Sequence, residues 1–280
     1  MKCYDCPRNC GVDRKNQKGF CGEGDKIRVA KVIENFKWEE PCISGEKGAL
    51  AIFFSGCNLK CTFCQNMKIS HGGYGKEFSS QEFAKFLRSF NFEKFSSIDL
   101  ITPTHFTSQI VEALKNFNSP IPIVWNSSGY EKEDSIEKVA TVVDVFLPDF
   151  KYCDESLSRQ KSQAIDYFAV ATKAIEKMRQ CKPNNIFNAE GVLQKGVLIR
   201  HLVLPGRVKD SIAVLNQIKD KIQHPFVSIM SQYIPLGENG GRKIYPLEYK
   251  IVTSHAQKIG LNNGYFQEMG SADENFIPDF

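Results

Sequence analysis

Six short apolar runs, each separated from the next by a longer stretch, restrict what this chain can fold into. They are ALAIFF (49–54), SIDLIT (97–102), IPIVWN (121–126), VVDVFLPD (142–149), GVLIRHLVL (196–204) and PFVSIM (225–230). Their β-branched and aromatic content is that of strands buried on both faces. Helical patterns fill the gaps. SSQEFAKFLRSF opens with a capping box, Ser79 with Glu82, and sets Phe83, Phe86, Leu87 and Phe90 on one face. SQIVEALKNF, DSIEKVATV, IDYFAVATKAIEKMRQ and DSIAVLNQIKDKI continue the alternation. Strands that alternate with helices pair in parallel through right-handed crossovers. No glycine-rich dinucleotide loop follows any run, so a doubly wound sheet fits less well. The expected fold is α/β, a partial (β/α)6 barrel with a small cysteine-rich N-terminal extension. In such a barrel the chemistry sits at the C-terminal ends of the strands.

Texture divides the chain into residues 1–46, rich in Cys, Gly, Lys and Arg, a barrel over 47–260, and a tail over 261–280 that docks on it. The first part holds one strand-like segment, KIRVAKVI (26–33). No apolar run is long enough to cross a bilayer, and the polar, cysteine-rich start is unlike a signal peptide. The net charge of +4 is mild and scattered, so neither a nucleic acid nor a membrane is an expected partner. A reducing, cytoplasmic setting follows, and there ten cysteines point to metal binding or catalysis before disulfides.

Cys57, Cys61 and Cys64 stand in a C-x3-C-x2-C spacing directly after the first apolar run. Three clustered thiolates can hold three irons of a cubane 4Fe–4S cluster. With no fourth cysteine nearby, the fourth iron stays open to an exogenous ligand, as in a catalytic rather than a closed structural site. Zinc is the alternative, but it usually takes four ligands in paired C-x2-4-C arrangements, and only one such pair is present here.

The stretch FFSGCNLKCTFCQN, with Phe63 before the last cysteine, resembles the radical S-adenosylmethionine superfamily. The pieces CPRNCGVDR, GFCG, EEPCISGEKG, ITPTHF, NSSGY, LPDFKY, LIRHLVLPG and SQYIP extend the resemblance almost end to end, to the activating enzymes of glycyl radical enzymes and their uncharacterised homologues. The resemblance implies that S-adenosylmethionine chelates the open iron and that one electron cleaves it to methionine and a 5′-deoxyadenosyl radical, which abstracts hydrogen. It also implies a protein substrate, a glycyl radical enzyme, and a flavodoxin or ferredoxin-type electron donor.

Asp149 and Lys151 end the fourth run and lie two apart on extended chain, so they project to one side. The resemblance gives the Asp a monovalent cation beside the cofactor carboxylate and sets the Lys near the cofactor. Asn126 and Ser127 stand where the activases contribute an Asp-Thr pair to that cation site; here a charge is lost, and a turn closed with Gly129 reads equally well. Arg200, inside a buried run, needs an anion, for which the cofactor carboxylate is a candidate, whereas His201 faces the other way and reads as structural. The superfamily's Gly-Gly-Glu-like motif is replaced by ITPTHF, leaving Thr102, Thr104 and His105 to bind the amino group; packing is the equal alternative for His105. An activase histidine near the sixth run is replaced by Gln232 and Tyr233, either of which suits the adenosine end or a strand cap. HGGYGKE (71–77) resembles an activase segment but reads most simply as a loop.

Cys3, Cys6, Cys10 and Cys21 give C-x2-C-x3-C-x10-C, followed by Gly11 and Gly22. Four soft ligands in a segment with little core of its own fit a metal staple, zinc or a second 4Fe–4S cluster, with free reactive thiols as the alternative. Cys42, Cys153 and Cys181 have no partners in sequence. Three functions remain open: an activase acting on a protein, a radical enzyme acting on a metabolite, and a structural metal-binding protein.

Overall fold

The computed structural model describes residues 2–71, 73–236, 241–271 and 279–280. Most of the expected tail (272–278), and Gly72 within HGGYGKE, lie outside the described residues. The strands, in chain order, are β1 (Ile27–Phe36), β2 (Ala49–Phe54), β3 (Lys76–Phe78), β4 (Ser97–Ile101), β5 (Ile123–Ser127) and β6 (Val145–Pro148). They continue with β7 (Ile186–Phe187), β8 (Leu193–Val197), β9 (Ile199–Leu202), β10 (Val227–Met230) and β11 (Gly264–Phe266). β2, β4, β5, β6 and β8 pair in that order and in parallel. β1 runs antiparallel to β2 and carries β3 on its other side, so part of the 1–46 segment belongs to the main sheet. β9, β10 and β11 form a second parallel group.

The two groups are joined. Phe150 N donates to Arg200 O at 2.7 Å, and Leu198 N to Phe146 O at 3.0 Å, so β9 carries on where β8 stops. The result is a large, mostly parallel α/β sheet with β1 and β3 toward one end and β11 at the other, and no pairing closes it among the described residues.

The short α1 (Pro41–Ser44) and α2 (Met67–Ser70) pack on one face, while α3 (Ser80–Leu87), α4 (Thr107–Leu114), α5 (Glu133–Val139), α6 (Glu155–Ser162), α7 (Tyr167–Cys181), α8 (Val208–Lys221) and α9 (Pro246–Lys258) cover the other. Neighbours α3–α4, α4–α5, α5–α7, α7–α8 and α8–α9 touch in series. The capping box on α3 forms as expected, and Phe83 and Leu87 are fully buried.

Strand period two decides which side chains meet the helices. Ile52, Leu100, Trp125 and Phe146 face outward into the main core with Phe83, Ile110, Ile136 and Ile175. Their neighbours point the other way: Phe53 and Ile101 into one inner cluster, Val124, Val145 and Leu147 into another. The same alternation puts Asp99, Asn126, Asp149 and Arg200 inside.

Two expectations change. GVLIRHLVL was expected as one strand, but the run splits at Leu198 between partners β6 and β10. β11, α6 and α9 had no strong sequence pattern; the parallel pairing of Gly264–Phe266 with Val227–Ile229 is set by tertiary contact.

Candidate active site

A cavity of about 450 Å³ opens at the C-terminal ends of the parallel strands. Residues from toward both ends of the strand order line it, Phe36 from β1 and Phe266 from β11, so the sheet curls around it. Cys57, Cys61 and Cys64 line one wall, together with Thr102, Asn126, Ser127, Asp149, Lys151, Arg200 and Gln232. Thr104 and His105 do not line it. Both are buried behind β2, where a His105 ring nitrogen meets Ser55 O at 2.7 Å, and burial pushes its pKa down to about 3.

The three thiols are held by short-range polar contacts. Leu59 N donates to Cys57 Sγ at 3.3 Å, Ser162 Oγ lies 3.0 Å from Cys61 Sγ, and Ser70 Oγ lies 3.5 Å from Cys64 Sγ. Burial raises Cys57 to about 12 and Cys61 to about 11, with the Lys151 ammonium opposing the rise at Cys61. Sulfurs that share one cavity wall, receive N–H and O–H donors and face a cation suit a negatively charged iron–sulfur cluster.

Beside the thiols lies a charged network. Arg200 donates through Nε to Asp149 Oδ1 (3.0 Å), through Nη1 to Glu39 Oε2 (2.8 Å) and through Nη2 to Asn126 Oδ1 (2.5 Å). Asn126 Nδ2 in turn donates to Asp99 Oδ2 (3.1 Å) and Glu39 Oε1 (3.2 Å), and Lys151 Nζ to Asp149 Oδ2 (2.6 Å). Burial alone would raise Asp149, but Lys151 and Arg200 outweigh it and hold the carboxyl below its usual range. Burial dominates at Glu39, pushed up to about 7, and at Asp99, pushed well above the carboxylate range. Asn126 Oδ1 and Asp149 Oδ1, nominated for a monovalent cation, both face the Arg200 guanidinium in this geometry. The hydrogen bonds of Arg200 itself go to protein acceptors.

The mouth is braced from behind. Tyr167 Oη accepts from Lys151 N (3.0 Å) and lies 2.8 Å from Ser128 O and 2.9 Å from Asp149 O, to which its single hydrogen can donate in turn. Gly129, at φ +72°, is packed against Asp149 O where a Cβ would collide. Thr102, at the end of β4, holds φ +62°, a costly conformation for a β-branched residue. Two buried polar atoms on cavity-lining residues, Ser128 Oγ and Glu40 Oε2, have no hydrogen-bond partner. Unspent polar atoms beside cationic groups suit a zwitterionic ligand such as S-adenosylmethionine.

Sequence reasoning missed Glu39, Asp99 and Tyr167. Asp99 had a usable signal, a carboxylate in the middle of a run buried on both faces. Glu39 and Tyr167 had none, because their partners lie far away in sequence.

A thiol trio on the loop after β2 and a neighbouring ionic network at the strand ends have the arrangement of a cluster-binding α/β protein. Residues 43–165 match the family described as a 4Fe-4S single cluster domain. The chain is 28% identical over 246 residues to an uncharacterised protein of Methanocaldococcus jannaschii, covering 83% of this chain and 66% of that one. It is 26% identical over 214 residues to the pyruvate formate-lyase-activating enzyme of Clostridium pasteurianum, covering 71% of this chain and 81% of that one. In structure it is similar to SuiB of Streptococcus suis bound to its precursor peptide SuiA, with a TM-score of 0.52 at 11% identity, over 76% of this chain and 46% of that one. The chain thus spans about two thirds of the archaeal relative and under half of SuiB. The chain is similar to radical S-adenosylmethionine enzymes. Among the described residues no helix is long and apolar enough to cross a membrane.

Proposed function

We propose that this chain is an activase-type radical enzyme that removes a hydrogen atom from a backbone glycine of a partner protein. The observation that carries the reading is that Cys57, Cys61 and Cys64 share one cavity with Lys151, Asp149 and Ser128. When bound there, a 4Fe–4S cluster and S-adenosylmethionine would supply one-electron reductive cleavage to methionine and a hydrogen-abstracting 5′-deoxyadenosyl radical. Cys57, Cys61 and Cys64 would hold the cluster. Lys151 donates to Asp149 and has further ammonium hydrogens to offer a cofactor carboxylate, while Ser128 and Glu40 hold the spare polar atoms for an amino group. Arg200 keeps Asp149 ionised and in place. Phe36, Phe53 and Ile101 add apolar lining that helps exclude water. A flavodoxin or ferredoxin-type carrier would bring the electron.

The protein substrate rests on the likeness to the pyruvate formate-lyase-activating enzyme. A metabolite substrate is the second reading, favoured by Glu39, Glu40 and Asn126 on the cavity wall, which would suit amine or hydroxyl groups of a small molecule. The test measures 5′-deoxyadenosine from the reduced, anaerobic protein while fractions of the source cell extract are added. Stimulation by a protease-sensitive macromolecular fraction, with a glycyl radical signal in it, is the expected result. Stimulation by the small-molecule fraction alone would overturn the activase assignment.

A further inference from the structure

The N-terminal segment holds a second group of thiols on the far side of the cluster loop. Cys6 and Cys21 are buried and Cys3 and Cys10 half-buried. Cys21, Cys3 and Cys10 are all electrostatic neighbours of Cys6. Cys10 Sγ and Cys21 Sγ both lie 3.5 Å from where a Cβ on Gly19 would be, so the two sulfurs flank one point. Phe20 N already donates to Cys10 Sγ at 3.3 Å. Backbone bonds Cys3 N to Val12 O and Gly11 N to Cys3 O, each 2.9 Å, fold the first loop back on itself.

A separate observation points to a ligand of negative charge. Arg14 is only 5% exposed and stands beside Cys21. Its Nη1 donates to His105 O, but Nε and Nη2, both buried, have no acceptor. No ion pair is recorded for it among the described residues. A buried guanidinium with two idle donors and no anion is costly, and no neutral set of thiols repays it. A dication or a 4Fe–4S core bound by four thiolates carries net negative charge and would supply the missing anion.

We propose that Cys3, Cys6, Cys10 and Cys21 hold a tetrathiolate metal centre, zinc or iron–sulfur, whose negative charge Arg14 offsets in part. Binding draws the sulfurs together, which the glycine-punctuated segment permits. The centre fixes the back of the catalytic loop. Cys21 O packs on Gly56, one residue before Cys57, at 2.7 Å from where a Cβ would sit. Arg8 Nε donates to Asn58 O at 2.7 Å, one residue after Cys57.

The test uses the full chain with Cys57→Ala, Cys61→Ala and Cys64→Ala combined, which leaves all four N-terminal thiols intact. After anaerobic purification and exposure to zinc, or to iron and sulfide, metal and sulfide are counted per chain. About one zinc, or about four irons with matching sulfide, is expected, and the two arms distinguish the metals. Adding Cys6→Ser and Cys10→Ser should abolish it. A folded triple variant, by circular dichroism, that retains neither metal overturns the proposal. Should the triple variant fail to fold, the wild-type count decides. Iron well above about four per chain, or zinc in addition, supports the site, and about four irons with no zinc overturns it. Arg14→Met should speed loss of the N-terminal metal to a chelator several-fold, and an unchanged rate would overturn the role of Arg14.

Discussion

Arg200 and Asp149 meet where β9 takes over from β8 beside β6, with Nε donating to Oδ1 at 3.0 Å. The contact is part of the register, since the two residues also form the backbone bridge that joins the sheet groups. One arginine therefore positions a carboxylate and ties Glu39 and Asn126 to the same point.

Arg200→Met would remove one donor each from Asp149 Oδ1, Glu39 Oε2 and Asn126 Oδ1, in a place where the charged side chains are 11–17% exposed. Breaking such a network costs about 3–5 kcal/mol. Urea unfolding should show a loss of that order, and binding of S-adenosylmethionine should weaken with it. Arg200→Lys keeps the charge without the three-way fork, and should recover only part of either quantity.

Tyr167→Phe removes one hydroxyl that serves Lys151 N, Ser128 O and Asp149 O. With the ring volume retained, the cost comes from unpaired buried groups, about 1–3 kcal/mol. The same change should raise the Kd for S-adenosylmethionine, because both cavity loops lose a common anchor.

Gly129→Ala meets two obstacles, φ at +72° and the Asp149 carbonyl. Destabilisation of more than about 1 kcal/mol is expected by denaturant titration. Weakened cofactor binding should accompany it, since Asp149 is the atom group displaced.

Stability should carry a pH signature from Glu131. Its carboxylate accepts from Trp125 Nε1 at 3.0 Å, and burial raises its pKa to about 7 from an ordinary 4.5. A pKa raised on folding gives stability that is complete below about 4.5 and is lost as pH climbs through about 7. Relative to Glu131→Gln, the wild type should therefore lose on the order of 3 kcal/mol between pH 4.5 and pH 8. Parallel melting curves across that range check it, and identical slopes for the two proteins would contradict it.

The parallel sheet was legible because its strands are short apolar runs with helices between them, and the pattern that makes ALAIFF or IPIVWN a strand is local. The split of GVLIRHLVL was not legible, because it depends on which strand pairs with residues either side of Leu198. The thiol trio could be read from spacing alone. Asp149 and Lys151 could be placed at the strand end, yet their partner Arg200 and its second acceptor Glu39 are brought in by folding across 161 residues. Thr104 and His105 followed a motif position, but the turn after β4 buries them behind the sheet while Thr102 alone lines the cavity.

The central claim is that Cys57, Cys61 and Cys64 hold the cluster that cleaves S-adenosylmethionine. The direct measurement is 5′-deoxyadenosine formed by the anaerobically reconstituted, reduced protein, beside Cys57→Ala, Cys61→Ala and Cys64→Ala, with iron counted in each. Product from the wild type and none above background from the three variants is the predicted result. Wild-type protein that carries its iron yet forms no 5′-deoxyadenosine, or a variant that forms it as fast as the wild type, would contradict the account.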